Sequence, residues 1–174
     1  MKLNLGCGTD IREGWINLDV IGGKGVDVVY DINKICWPFE DNTFDYIYGK
    51  EIIEHLTTSI FSIIKELARI SKDGAIINII VPHPTSSGDS TENHIKRFKY
   101  NSFSMGNKNT SLERERDYAN IDKKKTKILF DMRFPYNYLM QPIANMIPRI
   151  YENTCLRYLF PASFFEYTIG VRKT

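Results

Sequence analysis

Cysteine pairs, long apolar runs and a phosphate-loop lysine are what this sequence lacks. Its three cysteines, Cys7, Cys36 and Cys155, are scattered, odd in number and without CxxC spacing. That argues against a disulfide framework and a zinc site, and it predicts a reduced, cytoplasmic setting with no metal. No apolar run approaches the ~20 residues of a membrane span. The start carries one early Lys2, and Asn4, Gly6 and Gly8 interrupt any signal-peptide core. No Gly-Lys pair is followed by Ser or Thr, which excludes a P-loop. Neither a repeat nor a linker divides the 174 residues, so one domain with a single core is expected.

What is present is a packable composition, 43% hydrophobic and 13% aromatic, with charge unevenly placed. Residues 1–92 hold 8 Lys and Arg against 14 Asp and Glu, whereas residues 93–174 hold 15 against 7. A basic second half suits an anionic partner. The "DKKKTK" run (Asp122–Lys127) taken alone reads as a solvated loop.

Short segments rich in Val, Ile and Leu recur at Lys2–Leu5, Trp15–Val20, Val26–Ile32, Phe44–Gly49 and Ala75–Pro82. Their near-continuous apolarity predicts strands buried on both faces, hence parallel. Between the last two, Ile60, Ile63, Ile64, Leu67 and Ile70 follow helical spacing within Thr57–Lys72. Thr57 or Thr58 is the expected cap, and Asp73-Gly74 the expected stop. From His83 to Lys127 the pattern becomes polar, and this stretch is expected to be a substrate-side lid. Beyond it, Lys127–Phe134 reads as a strand, Pro142–Glu152 as a helix broken at Pro148, and Phe164–Lys173 as a closing strand. The expected fold is α/β, a Rossmann-like three-layer sandwich whose mostly parallel sheet ends in an antiparallel C-terminal strand.

The chemistry concentrates in "LNLGCGTDIREGWINLDV" (Leu3–Val20). Only Gly6 to Gly14 separate its two apolar runs, too few residues for a crossover helix. Gly6 and Gly8 permit a sharp turn and close approach of a ligand. Asp19 ends the second run, where a carboxylate can accept from both hydroxyls of a ribose. A dinucleotide site also wants a helix N-terminus for its pyrophosphate and a third small residue, and Ile11 stands at that position. This argues against an NAD-linked dehydrogenase. The cradle suits an adenosine without phosphate, as in S-adenosylmethionine (SAM).

On these residues the chain resembles the class I SAM-dependent methyltransferases, in particular the small type 11-like branch with an LNLGCG…GWINLD start. Further blocks carry the resemblance: "CWPFEDNTFDYIYGKEIIEHL" (Cys36–Leu56), "IKELARISKDGAIINIIVP" (Ile64–Pro82) and, more loosely, "YENTCLRYLFPASFFEYTIGVRK" (Tyr151–Lys173). The resemblance implies that Leu5, Gly6, Cys7 and Gly8 form the loop under the methionine part of SAM. It implies that Asp19 holds the ribose and that Asp31 and Ile32 flank the adenine. Gly49, Lys50 and Glu51 would lie near the sulfonium and tail. Arg12 is a candidate for the methionine carboxylate, or an exposed loop residue. Trp37 and Phe39 either line the adenine pocket or belong to the core, where large aromatics are more often found.

Methyl transfer from a sulfonium is an in-line displacement that needs alignment and exclusion of water. A hydroxyl or protonated amine acceptor also benefits from a general base, and His94, His55 and His83 are the candidates. His55 ends the "EIIEH" segment, His83 follows the fifth strand, and His94 lies in the lid. Each also has an ordinary reading, as a structural hydrogen bond or a surface residue. Because the chain begins at its first strand, cover for the acceptor is expected from the lid or from a partner subunit, such as a second copy in a homodimer. Lys96, Arg97, Lys99, Arg114, Arg116 and Lys123–Lys125, with Phe98, Tyr100, Phe103 and Tyr118, suit a small anionic or glycan-like acceptor. RNA is the second choice, since no RNA-binding module is present. A non-catalytic or partner-dependent SAM-binding subunit is the alternative.

Overall fold

The computed structural model describes residues 1–86, 94–103 and 121–173; the side chains of 122–124 lie outside that description. Its strands are β1 (Lys2–Leu5), β2 (Ile16–Asp19), β3 (Val28–Val29), β4 (Phe44–Lys50), β5 (Ser71–Pro82), β6 (Ile121–Leu129) and β7 (Phe164–Val171). Its helices are α1 (Ile60–Ile70), α2 (Asn137–Met146), α3 (Pro148–Asn153) and α4 (Leu156–Leu159), with a 3₁₀ turn at Ile53–His55.

The strands form one sheet in the order β3-β2-β1-β4-β5-β7-β6. Strands β1 to β5 pair in parallel, and β7 runs antiparallel between β5 and β6. The α/β class, the mostly parallel sheet and the antiparallel C-terminal strand are therefore as expected. Chain order reverses between β1 and β4, which opens the crevice where ligands bind in such sheets.

Alternation decides the two faces. Leu3, Leu5, Leu18, Ile47, Ile77, Ile79, Phe165 and Tyr167 point to one side and are buried there. Ile63, Ile64 and Leu67 of α1, Ala144 of α2 and Tyr151 of α3 join the same core. The other face carries Asn4, Tyr46, Tyr48, Asn78 and Glu166, and Tyr46 and Tyr48 are only half-buried. Of the expected three layers, the described residues provide the sheet and this one helical layer. The reason is local: ten residues join β1 to β2 and eight join β2 to β3, too few for covering helices.

Several boundaries differ from the sequence reading. The cap of α1 is Ser59, whose Oγ accepts from the Ser62 amide. Thr57 and Thr58 are taken instead by Asn33, whose Oδ1 accepts from both amides and from the Thr57 hydroxyl. Helix α1 ends at Ile70, and Ser71 to Asp73 already belong to β5. The third strand shrinks to Val28–Val29. Strand β6 begins at Ile121 and runs through Lys127, inside the stretch expected to be a lid. Thr126 and Ile128 alternate toward the core while Lys125 stays exposed, and lysine on an edge strand blocks pairing with another chain. Phe98 and Phe103, expected in the lid, stack on each other and pack on Tyr167 in the core. Arg114, Arg116 and Tyr118 lie outside the described residues.

One polar cluster fastens the β3–β4 connection to α1. Glu66 is buried and accepts from the Trp37 amide at 2.8 Å and from Arg69 at 2.8 and 3.1 Å. Arg69 also donates to the carbonyls of Phe39 and Trp37. Burial raises the cost of the Glu66 charge, but the Arg69 and Trp37 donors outweigh it and hold the carboxyl below its ordinary value. A depressed carboxyl stabilises the fold above its unfolded value, and that contribution is lost as pH falls through the folded one. Glu66→Gln is expected to lower stability by about 1–3 kcal/mol at neutral pH. The stability gap between the two proteins in denaturant melts should narrow as pH falls below the ordinary carboxylate range; a gap unchanged with pH would contradict the assignment.

Candidate cofactor and acceptor site

The turn after β1 is built around Gly6. Its φ of +66° lies in the left-handed region, and a Cβ there would stand 2.6 Å from Ile52 Cγ1. Only glycine satisfies both demands. The rest of the short crossover is held by side chains in place of a helix. Asn4 donates to the Asp10 carbonyl at 2.6 Å and to Asn17 Oδ1 at 3.1 Å. Asn17 in turn accepts from the Arg12 amide, donates to the Arg12 carbonyl and is bonded to Asp27. Sequence reasoning missed this trio. The signal available was asparagine inside two otherwise apolar strands, where its β-propensity is poor.

Beyond the carboxyl ends of β1, β2 and β3 lies a pocket of about 350 Å³. Gly6, Asp19, Asp31 and Ile32 line it, as does His55; Tyr30, Asn33, Ile52 and Leu56 were not anticipated. Asp19 accepts from the Gly8 amide at 2.8 Å and from the Ile21 amide at 3.0 Å, which fixes the carboxylate at the pocket wall. Asp31 caps the following turn through the Asn33 amide and still faces the pocket. Leu5 and Cys7 lie buried beneath the loop. Burial, and then the nearby Asp19 charge, push the Cys7 thiol up, so it stays neutral and packs as a small apolar group.

Three further expectations find their places. Arg12 stacks on Tyr48 with its guanidinium 3.7 Å from the ring centre and pairs with Asp10. Trp37 is buried, with its indole donating to the Ile32 carbonyl, and Phe39 packs edge-on against Phe44. Both aromatics belong to the core.

The segment after β4 turns sharply. Glu51 has φ +53°, an uncommon value for a side-chain-bearing residue. Lys50 pairs with Glu51 at 3.4 Å and lies over the Phe164 ring. Glu51 borders a second, larger cleft of about 750 Å³, lined further by Pro82, Thr85, Ser86 and parts of residues 130–137 and 161–164. The wall from Phe130 to Asn137 was read from sequence only as a strand and a connection. Its dense "FDMRFPYN" aromatic and charged composition was the available signal.

The histidines separate into a pair and a single. His55 and His94 meet with ring centres 4.8 Å apart. The amides of Ile95 and Lys96 both donate to the Glu54 carbonyl, which presses the His94 segment against the 3₁₀ turn. His83 stands in the core, wholly buried against Phe165. Its Nδ1 accepts from the Thr85 amide, so Nε2 carries the hydrogen and donates to Glu152 at 2.8 Å.

No family model matches the sequence, and no curated protein matches it. Solved structures do match in shape. A SAM-dependent methyltransferase from Archaeoglobus fulgidus aligns with a TM-score of 0.64 at 16% identity, covering 97% of this chain and 85% of that one. A complex of the Haloferax volcanii Trm112 methyltransferase activator with a protein described as a methyltransferase aligns at 0.58 and 17% identity, covering 99% and 82%. The [4+2]-cyclase SpnF aligns at 0.58 and 16% identity, covering 99% and 75%. The chain has the class I methyltransferase fold. At these identities the likeness is one of fold, and the cyclase shows that this fold also carries another chemistry. No described helix is long and apolar enough to cross a membrane.

Proposed function

We propose that this protein binds S-adenosylmethionine and transfers its methyl group to a small, anionic or glycan-like acceptor by O- or N-methylation. One observation carries the reading. The pocket beyond β1 to β3 combines the Gly6 turn, the Asp19 carboxylate and an apolar lining of Leu18, Ile32 and Leu56. It therefore offers a place for a ribose diol and a purine, and no helix N-terminus for a pyrophosphate. In this reading Leu5, Gly6, Cys7 and Gly8 underlie the methionine part, Asp31 and Ile32 flank the adenine, and Gly49, Lys50 and Glu51 border the tail. The larger cleft beside Glu51 takes the acceptor. Arg97, Lys99, Arg149 and Arg157 line a third depression of about 390 Å³, which supports an anionic acceptor.

The reaction asks little of the protein beyond geometry. The sulfonium already activates the methyl group, and alignment at about 3–3.5 Å supplies much of the acceleration. His55 and His94 are the side chains through which the acceptor's proton is handled, and His83 positions the end of β5 through Glu152.

A thermal-shift comparison tests the cofactor, because a ligand that binds only the native state raises its apparent stability. SAM at 100 times its dissociation constant should add about 2.7 kcal/mol, and NAD nothing. A shift with NAD and none with SAM would overturn the reading. Release of S-adenosylhomocysteine across sugar-phosphate, nucleotide-sugar and RNA acceptors tests the rest; turnover on RNA alone would replace the small acceptor.

A second reading has its own support. Trp15, Tyr46, Tyr48, Ile76 and Ile80 are half-buried on the sheet face opposite the described helices. A partner subunit seated there, another protein or a second copy, would make the chain partner-dependent, and the Haloferax complex is a case of this fold bound to an activator. Full activity of the isolated monomer would exclude it.

A further inference from the structure

We propose that Glu54, His55 and His94 form a binding site for one divalent transition-metal ion at the edge of the cofactor pocket. Each offers one ligand atom, and these atoms lie within 4.8 Å of one another. Two imidazole nitrogens and one carboxylate oxygen are the donor set that divalent zinc, cobalt, iron and nickel prefer, and three protein ligands leave positions open for a substrate. Ligand atoms around one such ion stand about 3–4 Å apart, so binding needs a contraction of about 1 Å, within reach of side-chain rotation.

The surroundings favour an ion over a chance meeting of three polar groups. Glu54 is 1% exposed, and a carboxylate at that depth must face donors or positive charge. The ligand atoms of the two imidazoles lie within 4.8 Å of its carboxylate. His94 Nδ1 is buried with no hydrogen-bond partner among the described residues, which leaves a nitrogen lone pair or N–H unused in the cluster. The backbone is arranged to keep the group together. His94 would otherwise sit in an open segment, yet two successive amides fix it to the Glu54 carbonyl at 2.9 and 3.1 Å. His55 also lines the cofactor pocket, so the ion would lie beside the bound nucleoside rather than remote from it.

The role of the ion rests on the methyl-transfer reading, and it narrows the acceptor to one that presents a hydroxyl to the metal. Coordination acidifies that hydroxyl and replaces direct proton transfer to His55 or His94, whose ligating nitrogens are then occupied; the proton leaves to water. The resulting alkoxide forms a bond to the methyl carbon as the carbon–sulfur bond breaks. The bonding pair returns to sulfur and leaves neutral S-adenosylhomocysteine.

Cobalt(II) is the probe. Titrated into metal-free protein, it should give a saturable visible spectrum at one equivalent per chain, without added cofactor. His94→Ala and the near-isosteric Glu54→Gln should each weaken it on the order of 100-fold, since even supporting residues around a metal contribute 10–100-fold. Circular dichroism and SAM affinity report whether each variant is folded. Folded protein that binds SAM but shows no saturable cobalt spectrum would overturn this site alone. Equal cobalt affinity in folded variants and parent would also overturn it. Cobalt binding without SAM binding would uphold the site and overturn the cofactor reading instead.

Discussion

Asp19→Ala is expected to weaken SAM binding about 100-fold while the protein stays folded. A carboxylate facing a ribose diol makes two charge-assisted hydrogen bonds, each worth about 1.5–3 kcal/mol. Losing about 3 kcal/mol corresponds to a 100-fold change in dissociation constant. Asp19 has a second task, because it accepts from the Gly8 and Ile21 amides. On the proposed reading the variant therefore loses both the ribose contact and two hydrogen bonds that hold the turn. Asp19→Asn keeps an oxygen for one amide but loses the charge, and should fall between parent and alanine variant. Calorimetric titration reads all three. Equal affinity in parent and Asp19→Ala would remove Asp19 from the cofactor site.

Gly6→Ala is expected to have the second large effect, on the fold and on the site together. A left-handed alanine costs about 1–2 kcal/mol. Its Cβ would also meet Ile52, whose Cγ1, Cδ1 and Cβ stand 2.6 to 3.0 Å from that position. Overpacking of this kind costs about 1–3 kcal/mol. The combined loss of about 2–5 kcal/mol should lower the melting temperature by about 5–15 °C. Because Ile52 lines the pocket, its displacement should weaken SAM binding as well. Pairing Gly6→Ala with Ile52→Ala removes the two closest contacts, to Cγ1 and Cδ1, and leaves the backbone strain and the Cβ contact at 3.0 Å. The double variant should bind SAM better than Gly6→Ala alone, a coupling that double-mutant cycles detect. Additive losses would show that the contact with Ile52 is not the cause.

Gly6 and Asp19 can both be singled out from the sequence alone. Glycine at the close of one apolar run and aspartate at the close of the next are signals that need no tertiary information. The apolar runs gave the strands for a similar reason: Leu3, Leu18, Ile47 and Ile77 are buried because the sheet buries them wherever it pairs. The mostly parallel sheet with an antiparallel closing strand was legible as well, whereas the order β3-β2-β1-β4-β5-β7-β6 was not. What escaped the sequence depends on contacts between distant segments. Asn33 takes both threonines before α1, so the cap passes to Ser59. Phe98 and Phe103 looked like lid aromatics, and only Tyr167 of β7 makes them core. His55 and His94 are 39 positions apart and meet because two amides reach the Glu54 carbonyl. Glu54 drew no attention in sequence because nothing there tells how deeply the 3₁₀ turn is buried.

Isothermal titration of the folded chain with S-adenosylhomocysteine tests the central claim most directly, since the product needs no acceptor and no turnover to bind. The account predicts saturable heat at one site per chain, lost in Asp19→Ala. Absence of heat and of saturation on well-folded protein would contradict it.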